Sequence, residues 1–133
     1  MGHSDRLVIA DGNFPAESMG RDAHVIHMEG HGVPEILEAI LLLFPLDTYV
    51  KHPVCLMSVM DGDSVETPIW NQYGTLVEAF DSRGRSAIGH MGRLVIFTGR
   101  MGWLITEIAW KARKSEYRMS SLIWIDICQN GKD

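Results

Sequence analysis

Leu7-Val8-Ile9-Ala10 is a short apolar run shut off by Asp11-Gly12-Asn13. It is too brief for a self-standing helix, and the β-branched pair Val8-Ile9 favours a strand. Asp, Gly and Asn then stop that strand, because they tolerate left-handed and turn conformations and bond to their own backbone. His3 stands just before the strand and Asp11 just after its carboxyl end. In α/β sheets, ligands bind outside the carboxyl ends of strands. Asp11 is therefore a candidate for more than turn formation.

The rest of the chain alternates strand and helix patterns. Glu17 to Gly32 reads mainly as loop, with a possible short strand at Ala23-His24-Val25-Ile26-His27-Met28. Pro34 suits the first turn of a helix, where its missing N–H costs nothing. Ile36, Leu37, Ile40, Leu41 and Phe44 share one face of that helix, which Pro45 ends. Leu42 and Leu43 widen the stripe and predict packing on more than one side. Val54 to Met60 is a second buried strand, closed by Asp61-Gly62-Asp63. Thr67-Pro68 offers an N-cap and a first-turn proline. Ile69, Tyr73, Leu76, Val77 and Phe80 then line a second helix, stopped around Ser82 to Gly84. Further on, Leu94 to Thr98 suits a strand. Leu104, Ile105, Ile108, Ala109 and Ala112 can line a helix, and Leu122 to Cys128 a last strand. Strand and helix alternating at this spacing predict an α/β fold with sheet faces covered by helices.

Gly2-His3-x-Asp5, the apolar run and Asp11-Gly12-Asn13-Phe14-Pro15-Ala16 resemble the start of the fucose mutarotase and ribose pyranase family. The likeness continues through Glu29-Gly30-His31-Gly32-Val33-Pro34-Glu35-Ile36-Leu37 and Phe44-Pro45-Leu46-Asp47-Thr48-Tyr49 to Thr67-Pro68-Ile69-Trp70. It extends to about Tyr73 and is closer to the fucose branch. The resemblance implies a mixed sheet with helices on both faces. It also implies ring-shaped homo-oligomers with sites at subunit interfaces, and a monosaccharide substrate. After about Arg85 the pattern departs. The family carries a Tyr-(Gly/Ala)-Asn segment that contacts the sugar, whereas here Tyr117 is followed by Arg118 and Met119. The family also has a helix ahead of Gly-His-x-Asp, where this sequence begins.

The activity implied is mutarotation, the exchange of α and β anomers of L-fucose or a related aldose. A proton must reach the ring oxygen and another must leave the anomeric hydroxyl, so that the ring opens and recloses. Histidine, with an unperturbed pKa of about 6.5, can give and take protons near neutrality. No metal, nucleotide or other cofactor is required. By resemblance His3 is the catalytic proton donor, Asp11 the carboxylate that holds sugar hydroxyls, and Arg93 a substrate-binding residue. His90 is a weaker candidate for the place of Arg93. A fully extended chain would separate His3 from Asp11 by roughly 26 Å at about 3.3 Å per residue. One sugar can touch both only if the chain folds back near Ser4-Asp5-Arg6, with Asp5 bending it, or if two subunits contribute.

The remaining features favour plainer readings. His27-x-Glu29-x-His31 has i, i+4 histidines, but its glutamate is misplaced for a zinc helix, and Gly30 and Gly32 oppose one. Trp70, Trp103, Trp110 and Trp124 read as core or subunit contacts, Trp70 being the best placed for sugar stacking. Glu35 and Glu38 read as solvated. Cys55 and Cys128 are isolated within apolar runs and read as reduced, buried thiols. A net charge of −5 without a Lys/Arg run argues against nucleic acid or an anionic membrane as partner. There is no signal-peptide pattern, and the longest apolar block is far shorter than the ~20 residues of a bilayer span. A single cytoplasmic domain over residues 1–133 is the expectation. The alternative to an active enzyme is a catalytically impaired sugar-binding or assembly protein that keeps the family fold.

Overall fold

The computed structural model describes residues 6–12, 14, 16–19, 23–59, 61–91, 104–108 and 123–126. The opening apolar run is strand β1 (Arg6–Asp11), and a short helix α1 (Ala16–Met19) follows it. Strand β2 (Val25–His27) lies within the short strand expected at Ala23–Met28. Helix α2 (Val33–Leu43), strand β3 (Val54–Met57) and helix α3 (Ile69–Phe80) match the expected alternation. A 3₁₀ turn (Gly84–Ala87) leads into strand β4 (Ile88–Met91), which the sequence reading did not anticipate. Strands β5 (Leu104–Ile108) and β6 (Ile123–Asp126) complete the set. The strand expected at Leu94 to Thr98 lies outside the described residues.

β5 corrects the helix expected over Leu104 to Ala112. Three of its five residues, Ile105, Thr106 and Ile108, are β-branched and lose χ1 freedom in a helix. The strand is also paired on both edges, in parallel with β1 and with β2. Ladder pairing on two sides overrides a helical periodicity that was only local.

The six strands among the described residues form one mixed sheet in the order β2-β5-β1-β6-β3-β4. β6 alone runs antiparallel, registered on β1 (Ile9 opposite Ile123) and on β3 (Leu56 opposite Ile123). The other five strands therefore point the same way, and their carboxyl ends share one edge of the sheet.

Alternation along β1 sends Leu7 and Ile9 to one face and Val8 and Ala10 to the other. The first face carries the main core: Leu7, Ile9, Val54, Leu56, Ile123 and Ile125 pack against Ile36, Leu37 and Leu41 of α2 and Tyr73 and Val77 of α3. The second face holds a smaller cluster of Val8, Ala10, Phe14, Ala16 and Met57. Both faces of the sheet are covered by helix, α2 and α3 on one and α1 on the other.

Two local expectations are corrected. Thr67 does not cap α3 through its side chain. Pro68 takes the cap position and Trp70 N–H donates to the Thr67 carbonyl at 3.1 Å. α2 is not packed on a second side within one chain, since Leu42 and Leu43 remain 67 % and 74 % exposed. Both lie at the end of α2 nearest the amino edge of the sheet, with Tyr49, 83 % exposed, just beyond them.

That edge is held by Arg83. Its Nε and Nη2 donate to the two oxygens of Asp81 at 2.9 and 2.8 Å, while Nη1 donates to the Val50 carbonyl at 2.9 Å and Nη2 to the Asp47 carbonyl at 3.0 Å. The guanidinium holds the Asp81 carboxyl below its ordinary range, chiefly through the side-chain hydrogen bonds and against the opposing pull of burial. The buried Asp47 carboxylate in turn accepts from Tyr49 N–H at 2.8 Å. The loop that carries Tyr49 is thereby fastened to the C-terminal end of α3.

Candidate functional site

Asp11 closes β1 at the carboxyl edge. The turn behind it is fixed by Phe14 N–H donating to the Asp11 carbonyl at 3.0 Å and Ala16 N–H donating to the Phe14 carbonyl at 2.8 Å. Phe14 and Ala16 are both buried in the smaller core cluster. Their burial anchors the turn on the α1 face, while alternation along β1 places Asp11 on the face of Leu7 and Ile9. Asp11 is half-buried, and its Oδ2 is shielded from solvent. A fixed, half-shielded carboxylate on a strand end can accept hydrogen bonds from sugar hydroxyls with little reorganisation.

The topology adds weight to this position. β1 leads through α1 toward β2, on one side of the sheet and across one face. β3 leads through α3 to β4, on the other side and across the opposite face. The connections leaving β1 and β3 thus diverge, and β6 fills the gap between the two strands. Such a reversal is where open α/β sheets bind ligands at their carboxyl ends. Asp11 sits beside it.

Other polar groups flank the same edge. His27, at the end of β2, approaches Glu17 of α1 with Nε2–Oε1 at 3.6 Å, both side chains at least half exposed. His31 pairs with Glu35, Nδ1–Oε1 at 3.0 Å, on the first turn of α2. His27 thus closes a strand and Gly30 takes a positive φ of 85°, so residues 27–31 form no common helical face for a zinc ion. On the far side of β6, Ser58 N–H donates to the Met91 carbonyl at 2.9 Å, and the rings of Trp70 and His90 meet with centroids 4.9 Å apart. Of the residues singled out by resemblance, Asp11 is on the carboxyl edge, whereas His3 and Arg93 lie outside the described residues. The Glu17–His27 pair was missed, and only its β2 strand could have flagged it.

A model of the RbsD / FucU transport protein family matches residues 1–94. The chain belongs to that family. It is 42 % identical over 81 residues to the fucose mutarotase of Homo sapiens, a match covering 58 % of this chain and 53 % of that protein. The chain thus spans about half the length of the curated relatives it matches. Among solved structures it is similar to FucU from Bifidobacterium longum, with 44 % identity, a TM-score of 0.83, and coverage of 96 % of this chain and 85 % of that one. It is also similar to the fucose mutarotase from Streptococcus pneumoniae solved in complex with L-fucose. That match has 28 % identity, a TM-score of 0.78, and coverage of 96 % and 84 %. The α/β fold with a mixed sheet is therefore that of the family. No helix among the described residues is long and apolar enough to cross a membrane.

Proposed function

We propose that this chain interconverts the α and β anomers of L-fucose by acid–base ring opening, in the cytoplasm and without a cofactor. The observation that carries the reading is the fixed, half-shielded Asp11 at the topological reversal of the carboxyl edge, in a fold shared with a fucose-bound mutarotase. Asp11 holds sugar hydroxyls. His3 donates a proton to the ring oxygen as the anomeric hydroxyl gives its proton to water, and the ring bond breaks to leave the open aldehyde. Both transfers reverse on reclosure, while Arg93 binds substrate.

The reading also favours a homo-oligomer with sites at subunit interfaces. β1 extends from Arg6 to Asp11, which places its ends about 16 Å apart at ~3.3 Å per residue. A pyranose is far smaller, and His3 precedes Arg6 in the chain. A second subunit that supplies one of the two residues removes the difficulty. The exposed Leu42, Leu43 and Tyr49 at the amino edge offer an apolar surface for that contact.

Saturation-transfer NMR on equilibrated L-fucose tests the activity. Wild type at micromolar concentration exchanges the anomers faster than buffer, and His3→Ala loses about 10²–10⁴-fold, the usual contribution of a positioned acid or base. Exchange no faster than buffer overturns the reading. Light scattering tests the assembly: wild type gives a defined oligomer and Leu43→Glu a smaller species, whereas a wild-type monomer refutes it. Tyr117-Arg118-Met119, where the family carries Tyr-(Gly/Ala)-Asn, favours a rival, a sugar binder without turnover. Calorimetric binding of L-fucose with no accelerated exchange establishes that rival.

A further inference from the structure

Ring opening needs an acceptor for the anomeric proton, and a positioned base typically contributes about 10²–10⁴-fold. Five histidines lie among the described residues, and their places in the sheet separate them. His24 precedes β2 and His52 precedes β3, both at the amino edge, where His52 Nδ1 is bonded to the Ser86 carbonyl at 3.0 Å. His90 lies on β4 with its ring against Trp70. His27 ends β2, but alternation puts it with Val25 on the face of the smaller cluster, where Glu17 of α1 meets it. Asp11 is on the other face.

That other face is the one α2 covers. Ile36 and Leu37 of α2 share the main core with Leu7 and Ile9, and the helix packs on β1. Its first turn stands at the carboxyl edge, because β2 delivers the chain there. A turn closed by His31 N–H, which donates to the Met28 carbonyl at 3.4 Å, then leads into the helix. His31 therefore shares both edge and face with Asp11.

The His31 ring is oriented. Its Nδ1 lies 3.0 Å from Glu35 Oε1, one helical turn further on. A carboxylate at Nδ1 fixes the proton there and leaves Nε2 as the basic nitrogen. It also stabilises the imidazolium that forms when Nε2 takes a proton. The side chain is half-exposed, which admits a water beside it. The other titratable groups on this half of the edge, among the described residues, are Asp11, Glu29, Glu107 on β5 and the Glu17–His27 pair.

We propose that His31, oriented by Glu35, is the base of the reaction and receives the anomeric proton through one water. This role rests on the mutarotase reading and gives the proton a destination beyond that water. The anomeric hydroxyl passes its proton to the water as the water passes one to Nε2. Meanwhile His3 protonates the ring oxygen, and the ring C–O bond breaks to leave the aldehyde. On reclosure the imidazolium returns its proton through the water to the carbonyl oxygen, and the attacking hydroxyl returns one to His3. No proton is gained or lost over the cycle.

Saturation-transfer NMR at saturating L-fucose reads the base. His31→Ala lowers the exchange rate at least about tenfold, while calorimetry finds L-fucose bound within about threefold of the wild-type affinity. Added imidazole restores part of the rate to His31→Ala, beyond its effect on buffer, and leaves wild type unchanged. Glu35→Gln lowers the rate by roughly two- to tenfold, and His31→Ala loses the acid limb of the wild-type pH profile. His31→Ala that exchanges within about twofold of wild type overturns the proposal. So does a loss of exchange matched by a loss of sugar binding and unmoved by imidazole, which marks a merely structural residue. Wild type that exchanges no faster than buffer refutes the mutarotase reading itself, whereas an active wild type with an indifferent His31→Ala refutes only the role of His31.

Discussion

Arg83→Met isolates the fastening of the amino edge. Methionine keeps most of the aliphatic stem and removes the guanidinium, so the loss is electrostatic rather than a cavity. The native side chain makes a two-point bond to Asp81 and donates to the carbonyls of Asp47 and Val50. The pair is neither fully buried nor free in water, with side-chain exposures of 27 % for Arg83 and 11 % for Asp81. Exposed pairs contribute about 0–1 kcal/mol, and breaking a fully buried one costs ~3–5 kcal/mol. Here the backbone N–H of residue 83 still donates to Asp81 Oδ1 after substitution, which softens the loss. About 2–3 kcal/mol is the expected destabilisation, between those limits and consistent with net values for charged hydrogen bonds. At roughly 3 °C per kcal/mol for a chain of this size, the melting temperature falls by about 6–9 °C.

Urea unfolding followed by far-UV circular dichroism reads the effect as a lower midpoint at an unchanged slope. Arg83→Lys recovers less than half of it, because an ammonium cannot reproduce the planar fork. A double-mutant cycle with Asp81→Asn returns a coupling energy above about 1 kcal/mol. A loss under about 0.5 kcal/mol for Arg83→Met, or no coupling to Asp81, refutes the account of this edge.

The same pair sets a pH dependence. Asp81 has a lowered pKa when folded, so its contribution is complete above the unfolded value of about 3.9 and is lost as pH falls through the folded value. The stability gap between wild type and Arg83→Met is therefore constant from pH 7 to about pH 5 and narrows below about pH 4, as thermal melts across that range will show. Two glycines should respond differently to alanine. A Cβ at Gly89 would stand 2.8 Å from His52 Cβ and 2.9 Å from Cγ, close to the backbone of a ring already bonded to the Ser86 carbonyl. Gly89→Ala should then cost about 1–3 kcal/mol in the urea midpoint. At Gly74 the Cβ meets only the guanidinium end of Arg85, which can swing away from its exposed partner Glu78. The lost pair of about 0–1 kcal/mol is offset by ~1 kcal/mol of helix propensity, so Gly74→Ala should be near neutral.

The sequence was most legible where periodicity and tertiary pairing agree. α2 and α3 fall within a residue or two of their apolar stripes, and β1 and β3 coincide with bounded runs of buried residues. β4 was missed because Gly89 and His90 break any apolar alternation. Its place comes from pairing with β3, and Gly89 is small because His52 crosses it. β5 was misread because a strand paired on both edges can carry an apolar spacing that also fits a helix. The place of Asp11 at the end of β1 was legible from its turn. Arg83 was not, since its partners Asp47 and Val50 are more than thirty residues away, as the separations of 36 and 33 attest.

The lone antiparallel strand accounts for how these features fit together. Had β1 and β3 been neighbours in a wholly parallel sheet, their loops would still diverge, but nothing would separate them at the carboxyl edge. With β6 inserted, the edge is split into a half ending in Asp11 and a half ending beneath Trp70 and His90. Three strand spacings, about 14 Å between backbones at ~4.8 Å each, then separate the two halves. At the opposite, amino edge, burying Leu42 and Leu43 against an apolar surface would be worth ~1.5–3 kcal/mol for each side chain fully removed from water.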